Sequence, residues 1–239
     1  MSRPKTLVTI ATYNERENLP ALVEEIIRYA PDCDILVIDD NSPDGTGQWA
    51  DEKAASEPRL RVLHRSGKLG LGTATIAGMK YAIEQGYEFV LNLDADFSHH
   101  PRHIPALVSG MDGADVMIGS RYVPGGSTPD WPLSRRLMSR AVNAYARWLL
   151  GLSPRDCSGA FRCYRMASLK QLDFDTIRSR GYAFQEEILW RLKQAGIRFG
   201  ETPIVFTDRR LGRSKIDLRE TFSTLGHLLR LGLQNWLRV

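Results

Sequence analysis

Two carboxylates stand one residue apart where an apolar run ends. Residues 91–101 read LNLDADFSHHP, so that Asp94 and Asp96 close the run. On a strand, side chains at i and i+2 point the same way and lie roughly 6.6 Å apart, so a bend there can bring both around one ion. Carboxylates suit Mg²⁺ or Mn²⁺, which commonly bridge them to substrate phosphates. The alternative is solvation of a strand end with capping of the next helix. His99 and His100 offer extra ligands, but adjacent histidines on a loop favour a surface position, and we expect them to be surface residues.

A second acidic cluster, DDNSPDGT at residues 39–46, can contact a nucleoside. A carboxylate there can accept hydrogen bonds from a nucleobase or a ribose, but Asp, Asn and Ser also favour helix N-caps. Two adjacent acids repel each other, and capping needs only one of them. The stretch therefore predicts a mixed role in helix capping and nucleoside binding. TYNEREN at residues 12–18 offers Tyr13 to stack on a base and Glu15 to bind a ring NH or a sugar hydroxyl. Charged helix starts are also common on plain surfaces.

A glycine-rich stretch, GKLGLG at residues 67–72, opens a helix. Its backbone N–H groups can cradle a phosphate. It is not a Walker loop, because no Gly-Lys-Ser/Thr follows at the required spacing. Close packing of the helix explains the glycines at least as well.

Short apolar runs alternate with amphipathic stretches along the first half of the chain. Continuous apolar runs predict buried strands, and apolar spacings of three and four residues predict helices. Ser42 and Pro43 are typical of the cap and first residue of the second helix. The predicted strands are 6–11, 34–38, 60–64, 88–93 and 115–119, and the helices between them are 18–29, 42–55, 72–85 and 101–111.

This alternation indicates an α/β fold, a mostly parallel central sheet with helices on both faces. Ligands of such sheets bind outside the carboxyl ends of the strands. The polar clusters fall at those ends, including residues 65–68 after the third strand and Ser120-Arg121 after the fifth. We therefore expect five strands to bring polar residues to one edge of the sheet.

The second half predicts helices at 133–150, 184–194 and 217–237, strands at 160–164 and 197–206, and a loop at 207–215. No acid occurs in the 25 residues between Asp130 and Asp156, which hold five arginines. Arg135 and Ser139 are four residues apart and share a helix face. Such a basic face suits a phosphate on a membrane, and an ordinary solvated helix is the alternative. The amphipathic last helix can lie in a membrane interface, on the core or on a partner.

The composition is that of a folded, mildly basic chain. Its 239 residues carry a formal charge of +4, with 43% apolar and 25% charged residues, which argues against disorder and permits anionic partners. Three cysteines without metal spacing indicate a reducing compartment rather than a disulfide framework. No apolar run approaches the length of a membrane span, so any membrane association is expected at the surface or through a partner.

Together the motifs resemble polyprenol-phosphate (dolichol-phosphate) mannosyltransferases, within the family-two glycosyltransferases. The resemblance spans roughly residues 6–216 and rests on TYNEREN, DDNSPDGT, GKLGLGTA, DADFSHHP and GSRYVPGG, followed by CSGAFRCYR, GYAFQEEI and TDRRLGRSK. The first few motifs mark the wider superfamily, while DADFSHHP, SGAFRCYR and GYAFQEE mark this branch. Ala11 stands where the first motif usually begins with Pro, and Ser98 holds a position that can help bind metal in relatives. Neither departure removes a charge that the chemistry needs.

The resemblance implies a GT-A catalytic domain over residues 1–216, an amphipathic helix over 217–239, a nucleoside-diphosphate sugar donor and Mg²⁺ or Mn²⁺. It implies metal ligands at Asp94 and Asp96. Implied nucleotide contacts are Thr12, Tyr13, Glu15, Asp40, Asp94, Ala95, Arg209 and Lys215. Implied contacts to the acceptor phosphate are Arg121, Arg135 and Ser139, and catalysis is expected to depend on Asp96, Arg121 and Arg135.

The expected function is inverting transfer of mannose from GDP-mannose to a polyprenyl phosphate, giving a β-linked product on the cytoplasmic face of a membrane. Expected partners are the nucleotide sugar, the lipid phosphate and an anchoring protein, without nucleic acid. A second hypothesis is the same glycosyl transfer with UDP-glucose as the donor, or with a different acceptor. A hydroxyl acceptor would need a base such as Glu186 or Glu187. A third is a non-catalytic binder of nucleotides or anionic membranes, which gains nothing from carboxylates at Asp94 and Asp96.

Overall fold

The computed structural model describes residues 5–177, 179, 183–208 and 226–234. The strands are β1 (Thr6–Thr12), β2 (Cys33–Asp39), β3 (Leu60–His64), β4 (Phe89–Asp94), β5 (Val116–Ser120), β6 (Arg162–Arg165) and β7 (Phe199–Pro203). The α-helices are α1 (Leu19–Tyr29), α2 (Thr46–Ser56), α3 (Leu71–Glu84), α4 (Ile104–Ser109), α5 (Leu133–Leu150), α6 (Met166–Leu169) and α7 (Ala183–Gln194). Short 3₁₀ turns lie at Pro101–His103, Gly110–Asp112 and Phe174–Thr176.

The strands form one sheet in the order β3-β2-β1-β4-β6-β5-β7. β6 runs antiparallel to both of its neighbours, and the other paired strands are parallel. The expected mostly parallel α/β sheet is therefore confirmed. β6 enters the sheet between β4 and β5, so the fourth and fifth strands of the chain are not neighbours.

Each face of the sheet has its own hydrophobic core. Successive strand residues point to opposite faces, so Leu7 packs in one core and Val8 in the other. The first core includes residues of α3, α5 and α7, and the second includes residues of α1 and α4. The inner strands β1, β2 and β4 and the strand β5 are buried on both sides, which explains why their sequences are largely continuous apolar runs.

The register of the strands fixes which polar residues meet. Ala11 on β1 pairs with Asp94 on β4, and Thr12 pairs with Asp39 on β2. Neighbouring strands lie about 4.8 Å apart. The polar clusters after these strands therefore lie side by side at one edge of the sheet, as the sequence predicted.

Two of the predicted helices are wrong in detail. α2 begins at Thr46, because Ser42 instead donates from its N–H and hydroxyl to Asp39 at 3.1 and 2.6 Å. Asp44 accepts the N–H of Thr46 at 3.0 Å, so this acid supplies the bond expected of Ser42. The single helix predicted at 101–111 is a short α4 flanked by two 3₁₀ turns.

The last segment that the structure describes, residues 226–234, is helical. Its Leu228 and Leu231 are buried in the first core together with Leu149 of α5, while Leu229 and Leu233 remain exposed. This part of the predicted last helix therefore docks on the core. The rest of that helix, and Arg209 and Lys215 of the predicted loop, lie outside the described residues. None of the described helices combines the length and apolar character needed to cross a membrane.

Candidate functional site

Asp39 and Asp40 have different partners at the end of β2. Asp39 accepts hydrogen bonds from Ser42 and from the Thr12 hydroxyl, the latter at 3.2 Å. Asp40 lies 2.8 Å from Nη1 of Arg65, and both side chains are largely buried. Burial raises the pKa of Asp40 although Arg65 opposes the shift. Asp39 therefore stabilises the turn that follows β2. The positive charge of Arg65 offsets the repulsion between the two adjacent carboxylates.

Tyr13 and Glu15 follow β1 on the same side of the sheet edge. Nζ of Lys68 lies 4.7 Å from the ring centroid of Tyr13, so a cation lies over the ring proposed to stack on a base. The backbone N–H of Glu15 donates to the Thr46 hydroxyl, and its carboxylate accepts from the Asn18 amide at 2.8 Å. The bond from Glu15 to Thr46 joins the first polar cluster to the second, and the bond from Asn18 holds the Glu15 carboxylate within the first.

The glycine-rich stretch packs closely at its third glycine. A Cβ added to Gly72 would come within 2.9 Å of the Phe184 ring, so only glycine lets α3 approach α7 at this point. Gly70 has φ of +100° and opens the helix. Packing thus accounts for Gly72, and no phosphate cradle is needed to explain it.

Asp94 and Asp96 bracket the buried Ala95 at the end of β4. Asp96 Oδ1 accepts the Ser98 N–H at 3.0 Å and the Ser98 hydroxyl at 2.6 Å. Phe97 between them is buried with φ of +63°, a left-handed conformation that a bulky side chain rarely adopts. This strained bend turns the chain directly after the two carboxylates.

The donor set at this bend fits a hard divalent cation. Two carboxylates at a strand end offer oxygen ligands, and such ions usually complete their shell with substrate phosphates and water. Within the described residues, no group of three or more His, Cys, Asp or Glu side chains is placed to hold a metal by itself. Asp94 and Asp96 therefore fit an ion shared with a substrate, while the Ser98 hydroxyl orients Asp96.

The prediction that His99 is a surface residue is wrong. Its ring stacks on Phe161 at 5.1 Å between centroids and meets Phe206 edge-on at 5.3 Å. Burial lowers the pKa of His99 to about 4, so the imidazole is neutral at pH 7. Its Nδ1 accepts the backbone N–H of Asp94 at 3.4 Å, and this contact ties the buried ring to the strand end.

The neighbouring His100 is partly exposed, so for this residue the structure does not contradict the surface prediction. It accepts the Arg102 N–H at 3.2 Å and meets the Tyr29 ring edge-on. The two adjacent histidines thus have separate structural contacts.

Arg121, directly after β5, forms a buried bidentate ion pair with Asp156. Nε and Nη2 of Arg121 each donate to a carboxylate oxygen of Asp156 at 2.7 Å, and Nη2 also reaches the Ser158 hydroxyl. Asp156 is fully buried. Although burial alone would lower it, Asp156 raises the pKa of Arg121, which remains charged. Among the residues that the structure describes, no hydrogen-bond partner of Nη1 is found.

Three aromatic rings surround this guanidinium. Its central carbon lies 5.2 Å from the ring of Tyr122, 5.5 Å from Trp131 and 5.4 Å from Phe206. Because Phe206 also touches His99, one ring connects the Asp94–Asp96 bend to Arg121. The carboxylates and the cation are therefore neighbours at the same end of the sheet.

Ser139 and Arg135 lie next to Arg121 but have partners of their own. The Ser139 hydroxyl hydrogen-bonds to that of Tyr122 at 2.6 Å. Arg135 donates to Asp208 at 2.8 Å and lies over the Trp131 ring at 4.0 Å. The structure thus brings together the three residues predicted to meet an acceptor phosphate, and it pairs Arg135 with the segment that leads to Arg209.

Three site residues were missed in the sequence: Trp131, Asp156 and Phe206. Arg65 was recognised only as part of the polar cluster after the third strand. Asp156 was visible only as the acid that ends the acid-free segment. It lies 35 residues from Arg121, and no local pattern connects the two. Trp131 and Phe206 flank loops, where an aromatic residue has no periodicity to mark it.

Glu186 and Glu187 have opposite environments. Burial raises the pKa of Glu186 to about 8, because its carboxyl is 1% exposed and its Oε2 accepts no hydrogen bond in the described part of the chain. Glu187 is also buried, which favours its neutral form. Hydrogen bonds from Ser179 and Arg191 nevertheless lower its pKa. Neither carboxyl lies open to solvent as a base for a hydroxyl acceptor.

We expect Glu186→Gln to make stability less dependent on pH. The unfolded chain releases this proton near pH 4.5, and the folded chain holds it to about pH 8. Between these values the folded state binds more protons, so its stability falls as pH rises. Glutamine removes that decline, a gain on the order of a few kcal/mol at alkaline pH. Thermal unfolding at acidic and alkaline pH measures it.

Glu187→Gln is the matched control. It removes a charge that Arg191 and Ser179 stabilise, so it should lower the unfolding temperature at neutral and alkaline pH. A Glu186→Gln variant that loses stability with pH as steeply as the parent would contradict the assignment.

Comparison with known proteins identifies the family to which this chain belongs. The model of the family Glycosyl transferase family 2 matches residues 7–173. An undecaprenyl-phosphate mannosyltransferase from Micrococcus luteus is 45% identical over 212 residues, which cover 89% of this chain and 87% of that protein. A polyprenol monophosphomannose synthase from Mycolicibacterium smegmatis is 46% identical over 214 residues, which cover 89% of this chain and 81% of the relative.

Solved structures show the same fold at low identity. A mannosyltransferase from Pyrobaculum calidifontis, solved with GDP-Man and Mn²⁺, has a TM-score of 0.63 at 16% identity, over 100% of this chain and 66% of that one. A glucosyl-3-phosphoglycerate synthase from Mycobacterium tuberculosis, solved with Mn²⁺ and UDP, has a TM-score of 0.61 at 18% identity. The match covers 98% of this chain and 79% of that one. The sheet is thus of the GT-A type, and the chain belongs to glycosyl transferase family 2.

Proposed function

We propose that this glycosyltransferase moves mannose from GDP-mannose to a polyprenyl phosphate, with Mg²⁺ or Mn²⁺. The observation that carries the proposal is that Phe206 contacts both the buried Arg121 and His99, and that His99 in turn accepts the backbone N–H of Asp94. Carboxylates with a metal suit a nucleoside diphosphate, and a guanidinium suits a second phosphate. The names of the two bacterial relatives support mannose as the sugar and a polyprenyl phosphate as the acceptor.

The donor would lie over the ends of β1, β2 and β4. Asp40 would accept hydrogen bonds from the nucleoside, and Tyr13 would stack on its base. Asp94 and Asp96 would hold the divalent ion, which when bound neutralises charge developing on the leaving diphosphate. The hydroxyl of Ser98 and the backbone bend at Phe97 keep Asp96 in one orientation. Arg209 and Lys215 are proposed as further contacts to the diphosphate.

The acceptor would need positioning rather than deprotonation. A phosphate monoester is already anionic at pH 7, so it can attack without a general base. Arg121 would bind it through Nη1, with Ser139 and Arg135 beside it. The buried state of Glu186 and the ion pair of Glu187 agree with an acceptor that requires no base.

A single displacement at the sugar would invert the anomeric centre and give a β-linked lipid phosphate sugar. The acceptor phosphate forms the new bond as the bond to the nucleotide diphosphate breaks, and the electron pair leaves with the diphosphate. We also propose a peripheral position on the cytoplasmic face of a membrane, with a second protein as an anchor. No nucleic acid is proposed as a partner.

The first test is transfer of labelled sugar to a short polyprenyl phosphate. GDP-mannose and UDP-glucose are offered in parallel with Mn²⁺, Mg²⁺ or EDTA, and the matched polyprenol without phosphate is the control acceptor. We expect labelled lipid from GDP-mannose only, only with metal and only on the phosphorylated acceptor. Labelling from UDP-glucose alone would overturn the donor assignment. Equal labelling of the unphosphorylated alcohol would overturn the role of Arg121.

A further inference from the structure

A small polar cavity lies between the sheet and the helices α3 and α7. Its wall includes Thr9 on β1, Asn92 and Asp94 on β4, and Gln185 on α7, together with apolar side chains. About 10 Å³ of it is open to the centre of a water-sized group, which is room for about one such group. We call it the Asn92–Gln185 cavity, after the two amides that line it.

The amide of Asn92 has an engaged oxygen and an unpaired nitrogen. Thr9 donates from its hydroxyl to Asn92 Oδ1 at 2.5 Å, so β1 holds the oxygen of this amide. Nδ2 is buried and has no hydrogen-bond partner among the residues that the structure describes. A buried N–H without an acceptor is costly, and native proteins pair nearly all such groups. The nitrogen of Asn92 therefore calls for an acceptor in the cavity.

Gln185 supplies the opposite half of the pair. Its side chain is buried, and Oε1 accepts no hydrogen bond in the described part of the chain. Arg162 ties this residue to Asn92, because it pairs with Asn92 across β6 and β4 and donates from Nη1 to the backbone carbonyl of Gln185 at 2.7 Å. An unpaired donor and an unpaired acceptor therefore line the same small space.

The two unpaired atoms define the chemistry of the group that fits. A hydroxyl accepts a hydrogen bond at its oxygen and donates one through its hydrogen, so it can satisfy Asn92 Nδ2 and Gln185 Oε1 together. A cation would leave the Asn92 N–H without an acceptor, and an anion would leave the Gln185 oxygen without a donor. A whole phosphate is larger than the one water-sized group for which there is room.

We propose that the Asn92–Gln185 cavity binds one hydroxyl group, held between Asn92 Nδ2 and Gln185 Oε1. Asn92 and Asp94 are two residues apart on β4, so their side chains point to the same face of the sheet. The bound group would therefore lie beside the carboxylate that the proposed function assigns to the donor. A water molecule and a hydroxyl of the transferred sugar are the two sources of such a group, and the second source rests on the proposed function.

The test is a pair of crystal structures of the full chain, one without ligands and one with GDP-mannose and Mn²⁺. We expect electron density within hydrogen-bond distance of both amide atoms. An isolated peak in both structures identifies a water, and density continuous with the sugar in the donor complex identifies a sugar hydroxyl. A direct hydrogen bond between the two amides, with nothing bound between them in either structure, would overturn the proposal.

Gln185→Met tests the acceptor oxygen. Methionine is an unbranched side chain of similar length, but it lacks the amide, so the bound group should be lost from the cavity. Gln194→Met is the matched control, because it makes the same change at an exposed position of the same helix and should keep the bound group. A group that stays in place in Gln185→Met would overturn the assignment to Gln185. The two structures of the parent decide the proposal even if Gln185→Met does not fold.

Transfer kinetics identify the source and separate this inference from the proposed function. GDP-mannose is compared with analogues that each lack one sugar hydroxyl. If the sugar fills the cavity, one analogue should lose at least about tenfold in kcat/KM with the parent and with Gln194→Met, but not with Gln185→Met. If water fills it, Gln185→Met should change kcat/KM by the same factor for every donor. Absence of GDP-mannose binding and transfer, with a bound water in the free protein, would reject the proposed function and leave the cavity site standing.

Discussion

Asp96→Asn should reduce mannosyl transfer by about a thousandfold or more, the largest loss expected from any single change in this chain. Asparagine keeps the shape of the side chain but removes the negative charge that would hold the divalent ion. A loss of this size corresponds to about 4 kcal/mol of transition-state stabilisation. Initial rates with saturating GDP-mannose and titrated Mn²⁺ measure it. Mn²⁺-dependent binding of GDP should weaken in parallel, because the same carboxylate would hold the ion during nucleotide binding and during transfer.

The control for this change is Asp112→Asn, which removes an exposed acid after α4, away from the carboxyl ends of the strands. Its transfer rate and metal dependence should match those of the parent. Ser98→Ala tests the support of Asp96 separately. It removes the 2.6 Å hydrogen bond to Oδ1 and should cost roughly tenfold in rate while the requirement for metal is retained. Near-parent, metal-dependent turnover by Asp96→Asn would show that the metal site lies elsewhere.

Arg121→Lys should raise the KM for polyprenyl phosphate about ten- to a hundredfold and leave the KM for GDP-mannose nearly unchanged. Lysine keeps the positive charge, but it cannot bind Asp156 with two nitrogens and present a third to a ligand. The lysine variant is preferable to alanine, which would leave the fully buried Asp156 without its partner and threaten folding. Steady-state kinetics with each substrate varied in turn separates the two KM values.

Asp156→Asn tests whether Asp156 positions Arg121. We expect the same selective rise in acceptor KM, because asparagine keeps only one acceptor oxygen and the guanidinium loses one of the two 2.7 Å bonds that fix its plane. A residue needed only for stability would lower the unfolding temperature and leave both KM values alone. Arg198→Lys is the arginine control. Arg198 directly precedes β7 and forms an exposed ion pair with Asp115, so this change should alter neither KM. A donor KM that rises as much as the acceptor KM would reject the assignment of Arg121 to the acceptor.

Local patterns were sufficient to predict the mostly parallel sheet and the position of two acids at its edge. Continuous apolar runs predict strands buried on both faces, and the alternation with helices predicts parallel pairing, so the carboxyl ends of the strands had to share an edge. The position of Asp94 and Asp96 at the end of β4 follows from that pattern alone. Resemblance to a known family then added the chemistry, and the family model and relatives confirm that membership.

Contacts between distant segments were decided only by the tertiary structure. β6 enters antiparallel between β4 and β5, and the loop just before it delivers Asp156 to Arg121, 35 residues away. His99 is buried because Phe161, just before β6, and Phe206, just after β7, cover its ring. Gly72 is explained by the approach of Phe184 rather than by a phosphate. Periodicity records which face of an element is buried, but the identity of the group packed against that face depends on the path of the whole chain.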